Sequence, residues 1–447
     1  MAEEPGAGRA GEGRIAKPSL GGRDVLEALR AVPGGVELLS LAAARDDVAI
    51  VGGAVRDLLR RRAPRELDVV VASDAETFAL ELASHLGAPA AHDGGQSPSA
   101  SVHERFGTAV VGWASGRLDI AERRAESYPA PGALPEVRPG SAEEDLRRRD
   151  FTVNAIAVAL GGPRQGELQA VEHALEDLAG GRLRVLHERS FLDDPTRLLR
   201  LARYRARLGF ELEERTAELA AEALDAGALA TVSRARVGAE LRLALAEPDP
   251  LAALAALSTL GVLSALDPQL RFEEELAADA LAMLPEDGRR DLLLLAVLLL
   301  PVASGPGHDP EAAMFDLLDG LEFTAGDRER AIRTALLAPS LQHELRAARR
   351  PSEIREAVSS GMLEAVSLAG VLGGEGRGDR ARNNAGEWLQ RWRHVHLEIT
   401  GDDLLAAGIS AGPEIGRRLA LALQRKLDGE LDDGREAELR AALEAPL

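Results

Sequence analysis

Between Val48 and Val71 the chain reads VAIVGGAVRDLLRRRAPRELDVVV. A short apolar run meets a glycine pair, a helix-forming stretch follows, and a second β-branched run closes the unit. Few folds accommodate this order. VAIV predicts a buried strand, Gly52-Gly53 a turn, Ala54 to Arg62 a helix and Leu67 to Val71 the next strand. Glycine at such a turn lets backbone N–H groups approach an anion closely, and the following helix start favours negative charge. Arg56 falls in the first turn of that helix.

Two further runs, TAVVGW (Thr108 to Trp113) and RLDIA (Arg117 to Ala121), are separated by Ala114, Ser115 and Gly116 and predict a hairpin. Near residue 160 the pattern changes. Beyond it, Leu, Ala, Glu and Arg recur at helical spacing, punctuated by Gly, Pro and Asp-Pro steps, without a regular repeat. The expected class is α+β: a small mixed-sheet head followed by an all-α remainder. A chain of 447 residues exceeds one compact core, so several domains are expected.

Composition narrows the function. The chain has no cysteine, which excludes a disulfide framework and cysteine-ligated zinc and fits a reducing cytoplasm. Residues 1–21 mix Gly, Pro and charge without an apolar core, as expected of a disordered leader and not of a signal peptide. The longest apolar run, Leu292 to Leu300 before Pro301, is too short to span a bilayer and predicts a buried helix. No membrane partner is expected.

A net charge of -20 argues against a nucleic-acid partner, yet exposed charges act over a Debye length of about 8 Å. Local clusters therefore decide. Arg56, Arg60, Arg61, Arg62 and Arg65 form one, Arg147 to Arg149 another, and Arg197, Arg200, Arg203, Arg205 and Arg207 a third. The only lysines are Lys17 and Lys426, and arginine is the better fork for phosphates.

Carboxylates supply the complementary chemistry. Glu66 and Asp68, two apart on the predicted strand, would face the same side, and Asp119 lies on another strand of the same sheet. Three such acids can hold two Mg²⁺ about 3.5 to 4 Å apart, the arrangement used for nucleotidyl transfer. Downstream, EEDLRRRDFTVNAIAV (Glu143 to Val158) offers Arg148, Arg149, Asp150 and Asn154 as polar groups, with Phe151, Val153 and Ile156 as anchors. In FLDDPTR, Asp194 before Pro195 has the form of a helix cap with proline at the first helical position.

The runs VGGAVRDLL, ELDVVV, RLDIAERRAESYPAPGALPEV, DLRRRDFTVNAIA and FLDDPTRLLRLARYRARLGF together resemble the class II tRNA nucleotidyltransferase and bacterial poly(A) polymerase family. The likeness runs over about residues 22–447, through SRARVGAELRLAL to ITGDDLLAAGISAGPEIGRRL. It implies a nucleotidyltransferase palm over 22–160, a neck over 161–272, a body over 273–350 and an RNA-binding tail over 351–447. It further implies that Gly52, Gly53, Arg56 and Asp57 form a phosphate-binding turn and that Glu66, Asp68 and Asp119 are catalytic metal carboxylates. Arg149, Asp150, Asn154 and Arg200 match nucleotide-contacting positions, and Asp194 with Arg197 matches the pair that reads the incoming base. A carboxylate accepting from an exocyclic amine and a guanidinium donating to a ring acceptor would select C and A without a template.

The implied activity is addition of C and/or A to the tRNA 3′ end from CTP and ATP. The CC-adding, A-adding and poly(A)-adding variants remain open, as does an RNA-binding protein with a degenerate head. Arg234, Arg236, Arg417 and Arg418 are the expected RNA contacts. The chain departs from the family at Glu66, where aspartate is usual, at Asp193 for glutamate, at Glu122 for threonine and at Ala125 for arginine. His92-Asp93 and His308-Asp309 are the only His-Asp steps, and their Gly/Pro-rich surroundings predict loops and not a metal hydrolase domain.

Overall fold

A computed structural model describes residues 21–87, 99–103, 107–303, 309–359, 361–372 and 379–444. The expected leader thus lies, except for Gly21, outside the described residues, as do His92, Asp93 and His308. The chain forms two compact units, 1–232 and 233–447.

The first unit is built on a seven-stranded sheet. Its strands are β1 (Ala49–Val51), β2 (Leu67–Val71), β3 (Ser99–His103), β4 (Thr108–Trp113), β5 (Gly116–Glu122), β8 (Ile156–Ala159) and β9 (Leu168–Ala170), in the order β3-β4-β5-β2-β1-β8-β9. Strands β6 (Arg124–Ser127) and β7 (Glu136–Pro139) pair separately as an antiparallel ribbon. Within the large sheet only β2 and β5 run parallel; every other neighbour is antiparallel.

The β-branched run of β2 buries Val69, Val70 and Val71, while Asp68 alone of its interior residues stays partly accessible. The β4–β5 connection is the expected hairpin, with Trp113 paired to Gly116. One face of the sheet buries Ala49, Val51, Val70 and Ala157 against Leu146. Helix α4 (Ala75–Gly87) follows β2 and buries Ala75, Phe78, Ala79 and Leu82 at three- and four-residue spacing. Phe78 is fully buried, so truncating it to alanine would cost about 3–5 kcal/mol.

The sheet extends past residue 160, because β9 hydrogen-bonds to β8. The head is therefore longer than the sequence pattern predicts. Three alternating-free residues, Leu168 to Ala170, are too few to leave a period in the sequence.

The second unit is helical throughout its described residues. The leucine-rich helix Arg290–Ala303 buries every residue from Leu292 to Leu299, as expected, and continues through Pro301 to Ala303. Proline there falls in the final turn, where it removes a single backbone donor. A separate small core of Ile399, Leu404, Ala422, Ala441 and Ala442 holds the C-terminal helices together. Asp309 caps the helix Pro310–Gly320 by accepting from the amides of Glu311 and Ala312 at 3.0 and 3.4 Å. Among the described residues no helix is long and apolar enough to cross a membrane.

Candidate active site

The turn after β1 leads into helix α3 (Gly53–Leu59). Gly52 has φ 72°, and a Cβ there would lie 2.8 Å from Arg149 Nη1, so a side chain would be both strained and in collision. Its own amide donates to the Ile156 carbonyl at 3.0 Å. Gly52 thus makes room in the turn, and its N–H belongs to the scaffold.

Arg56 is 2% exposed. Its guanidinium donates to both Asp57 oxygens at 2.9 Å and to Asn154 Oδ1 at 2.6 Å. Asn154 in turn donates to Asp150 Oδ1 at 2.9 Å, and Arg200 grips Asp150 Oδ2 with Nε and Nη2 at 2.9 and 2.6 Å. Burial pushes the Asp150 carboxyl up, but the Arg200 charge, the Asn154 donor and Arg200 hydrogen bonds overcome it and hold it down to about 2. Five predicted nucleotide-contacting residues, Arg56, Asp57, Asn154, Asp150 and Arg200, are therefore one connected and largely buried network.

Asp68 and Asp119 are direct register partners in the parallel pair β2–β5. Burial raises the Asp68 carboxyl to about 6; Arg149 opposes the rise, while Asp119 and Glu66 add to it. Asp119 accepts from Arg117 Nε and Nη2 at 2.9 and 3.2 Å. Glu66 lies in a bend just before β2 and is exposed. The expected triad is thus a facing pair with a third acid just outside the sheet, because β2 begins at Leu67 as predicted and Glu66 precedes it. Among the described residues, no three His, Cys, Asp or Glu side chains stand together as a ready metal cage.

The donor chemistry nevertheless fits a divalent cation. Carboxylate oxygens are the hard ligands such ions take, and the Asp68 carboxyl is raised first by burial, with Asp119 and Glu66 adding to it against Arg149, so a cation beside it would favour its charged form. A cleft of about 440 Å³ joins Asp68 and Asp119 to Arg148, Arg149 and Arg200.

Arg149 Nη2 donates to Asp145 at 3.0 Å. Asp145, 1% exposed, also accepts from Arg148 Nε and Nη2 at 3.0 and 2.8 Å, and burial, which raises its carboxyl, is outweighed by Arg149 and Arg148. Glu126 holds Arg148 from the other side at 3.1 Å and Arg124 at 2.9 Å. Sequence reading missed Asp145 as an organiser. Its signal was the three- and four-residue spacing to Arg148 and Arg149 on one helix.

Asp194 Oδ1 accepts from the Thr196 amide at 3.1 Å and its hydroxyl at 2.6 Å, the expected cap at the start of α8 (Thr196–Leu208). Arg197 is 4% exposed; it donates to Ser190 Oγ at 2.6 Å and to the Arg148 carbonyl at 2.9 Å. Neither residue lines the carboxylate cleft, but Arg197 is tied to it through Arg148.

Two of the sequence departures have structural explanations. Glu122 Oε1 accepts from the amides of Asp74 and Ala75 at 2.7 and 3.5 Å, capping α4, and Ala125 is buried in β6. Asp193 pairs with Arg189 at 3.1 Å.

In the helical unit, Arg234 and Arg417 are exposed and Arg236 is half-buried. Arg418 differs: it is buried, pairs with Glu414 at 2.6 Å and donates to the carbonyls of Ala442 and Leu443 at 3.0 and 2.8 Å. Its guanidinium closes the end of the last helix, which corrects its expected place among the RNA contacts.

A small mixed sheet that carries facing carboxylates on a parallel strand pair beside a glycine turn defines a head of the nucleotidyltransferase class. Residues 48–184 match the poly A polymerase head domain family. The A-adding tRNA nucleotidyltransferase of Halalkalibacterium halodurans is 42% identical over 225 residues, 50% of each chain. The CC-adding tRNA nucleotidyltransferase of Deinococcus radiodurans is 34% identical over 375 residues, 84% of this chain and 83% of the relative. The chain belongs to the tRNA nucleotidyltransferase family. The Thermotoga maritima CCA-adding enzyme complexed with tRNA superposes with a TM-score of 0.72 at 27% identity, covering 94% of this chain and 98% of that one. Solved complexes of a CCA-adding enzyme with ATP and with CTP give the same TM-score and identity. The chain spans about half the length of the A-adding relatives it matches.

Proposed function

We propose that the protein extends the 3′ end of tRNA with C and/or A residues from CTP and ATP, releasing pyrophosphate. The observation that carries this reading is the Asp68–Asp119 register pair, set in one cleft with Arg148, Arg149 and Arg200. The names of the relatives and the ATP, CTP and tRNA complexes of the structural neighbours support the choice of substrates.

Asp68, Asp119 and, from its bend before β2, Glu66 would hold Mg²⁺, which would supply charge for the triphosphate and lower the pKa of the attacking 3′-hydroxyl. The arginines of the cleft orient the triphosphate by charge-assisted hydrogen bonds. Asp145 and Glu126 keep Arg148 and Arg149 aimed while they do so. Asp194 and Arg197 select the base from their edge-reading chemistry, with the Arg148 carbonyl and Ser190 fixing the Arg197 fork. Arg234, Arg236 and Arg417 contribute to a grip on tRNA by phosphate and shape. The absence of cysteine fits a reducing cytoplasmic setting.

The test uses purified protein with Mg²⁺ and tRNA transcripts ending before C, CC and CCA, each offered labelled nucleoside triphosphates singly and together. Addition of C and A with exclusion of G and U is the expected result. A stop after CC, or addition of A alone to the CC transcript, assigns the CC- or A-adding subtype. No incorporation on any transcript, with tRNA binding intact, overturns the catalytic reading in favour of an RNA-binding protein with a degenerate head.

A further inference from the structure

The buried polar network described above closes on itself through a residue that the family motifs do not single out. Arg56 of α3 reaches Asn154, Asn154 reaches Asp150, and Asp150 is gripped by Arg200 of α8. The circuit is completed by Tyr204, one helical turn beyond Arg200. Its hydroxyl lies 3.3 Å from Arg200 Nη2, and its ring lies 5.6 Å from the Arg200 guanidinium and 5.5 Å from that of Arg56. Arg207 approaches the same ring at 5.5 Å, and Phe151 meets it edge-on at 5.7 Å and 81°.

Three guanidinium groups around one phenol ring repel each other unless something negative lies between them. The π-face of tyrosine supplies that partial charge and attracts each cation. Asp57 and Asp150 neutralise Arg56 and Arg200 from the outer side. Tyr204, itself on α8, thereby joins Arg56 of the helix that follows the glycine turn to Arg200 of its own helix.

We propose that Tyr204 is a positioning residue for the incoming nucleotide. By holding Arg56 and Arg200 to one ring, it fixes α8, and with it Arg197, against the glycine turn where the triphosphate is bound. The inference rests on the proposed nucleotide-binding role of this head. It goes beyond that role by assigning the spacing between phosphate and base subsites to an aromatic ring that makes neither contact. The hydroxyl bond is long, so the ring and not the oxygen carries most of the effect.

The experiment compares wild type, Tyr204→Leu, Tyr204→Met and Tyr204→Phe in the full chain. Affinities for CTP and ATP are measured by calorimetry, tRNA affinity by filter binding and folding by thermal unfolding. Two cation–π contacts at the lower end of their range together correspond to about tenfold in binding. Tyr204→Leu and Tyr204→Met are therefore expected to weaken CTP and ATP binding about tenfold, with tRNA affinity unchanged. Tyr204→Phe is expected to restore nucleotide affinity to within about threefold of wild type. Unchanged nucleotide affinity in both Leu and Met variants overturns the proposal. So does a parallel loss of tRNA affinity and folding in both, which would assign Tyr204 to the core alone. Wild-type protein that binds neither CTP nor ATP would instead sink the nucleotidyltransferase reading, a result separate from any difference among the variants.

Discussion

Asp68 and Asp119 face each other as register partners on adjacent parallel strands. Because side chains alternate along a strand, this pairing fixes both carboxylates on one face of the sheet. Asp68→Asn and Asp119→Asn should each lower nucleotide addition at least about a hundredfold while preserving the fold. Glu66→Asp should lower it about tenfold, since the shorter side chain starts outside the strand and reaches less far. Steady-state turnover with thermal unfolding as control checks all three, and increased turnover in Glu66→Asp would mean that glutamate compromises the site.

Arg117 competes for Asp119. The pair is largely exposed, with side-chain exposures of 56% and 34%, so its strength is at the modest end, up to about 1 kcal/mol. Removing it by Arg117→Ala should reduce the Mg²⁺ concentration for half-maximal activity by up to about fivefold. A magnesium titration of both proteins gives the answer, and a rise in the required concentration would contradict it.

Asp194 caps α8 and is also the residue proposed to read the incoming base. The two roles separate by substitution. Asp194→Asn keeps a capping oxygen and should leave thermal stability near wild type while relaxing discrimination between CTP and UTP. Asp194→Ala removes the cap and should cost about 1 kcal/mol in addition. Equal loss of stability in both variants would point to capping through the charge alone.

Asp150 predicts an acid limb of stability. Its folded carboxyl is held to about 2, below its ordinary 3.8, so the folded state binds fewer protons there. Its contribution is present above about pH 4 and is lost as pH falls through about 2. It amounts to about 2 kcal/mol. Urea unfolding between pH 5 and 2 should show a shallower decline for Asp150→Asn than for wild type, and identical slopes would exclude Asp150 as a source.

Arg418 and Arg417 are neighbours with opposite expected phenotypes. Arg418→Ala strips a buried guanidinium from two terminal carbonyls and should destabilise the tail by about 2 kcal/mol. Arg417→Ala should leave melting unchanged, weaken tRNA binding and reduce its salt slope by about one. Reversal of the two effects would relocate the RNA contact.

The parts of the head that were legible in the sequence are those with a strong local pattern. The β-branched runs of β2 and β4, the hairpin into β5 and the glycine turn all fall where periodicity predicts them. The two central carboxylates were visible because their strands were. The rest depends on partners far along the chain. Ile156 reads as one of three anchors with Phe151 and Val153, yet it opens a strand, Ile156 to Ala159, that pairs with β1. Asp145 looks like an acid at an exposed helix start and is buried only because Arg124, Arg148 and Arg149 converge on it. Arg418 reads as a surface cation until the final helix folds over it. Periodicity reports which face of an element is buried, and it is silent about which distant group covers that face.

Every cation in the carboxylate cleft and in the closed network around Tyr204 is an arginine, and no lysine occurs between residues 17 and 426. Guanidinium groups keep their proton at any pH the cell reaches. The positive half of the site is therefore constant, and proton-linked control can act only through its acids. Acetyl transfer to amines, a common means of silencing phosphate-binding enzymes, has no target in this head. Amine-directed labelling of the intact protein should likewise leave residues Gly21 to Val232 unmarked.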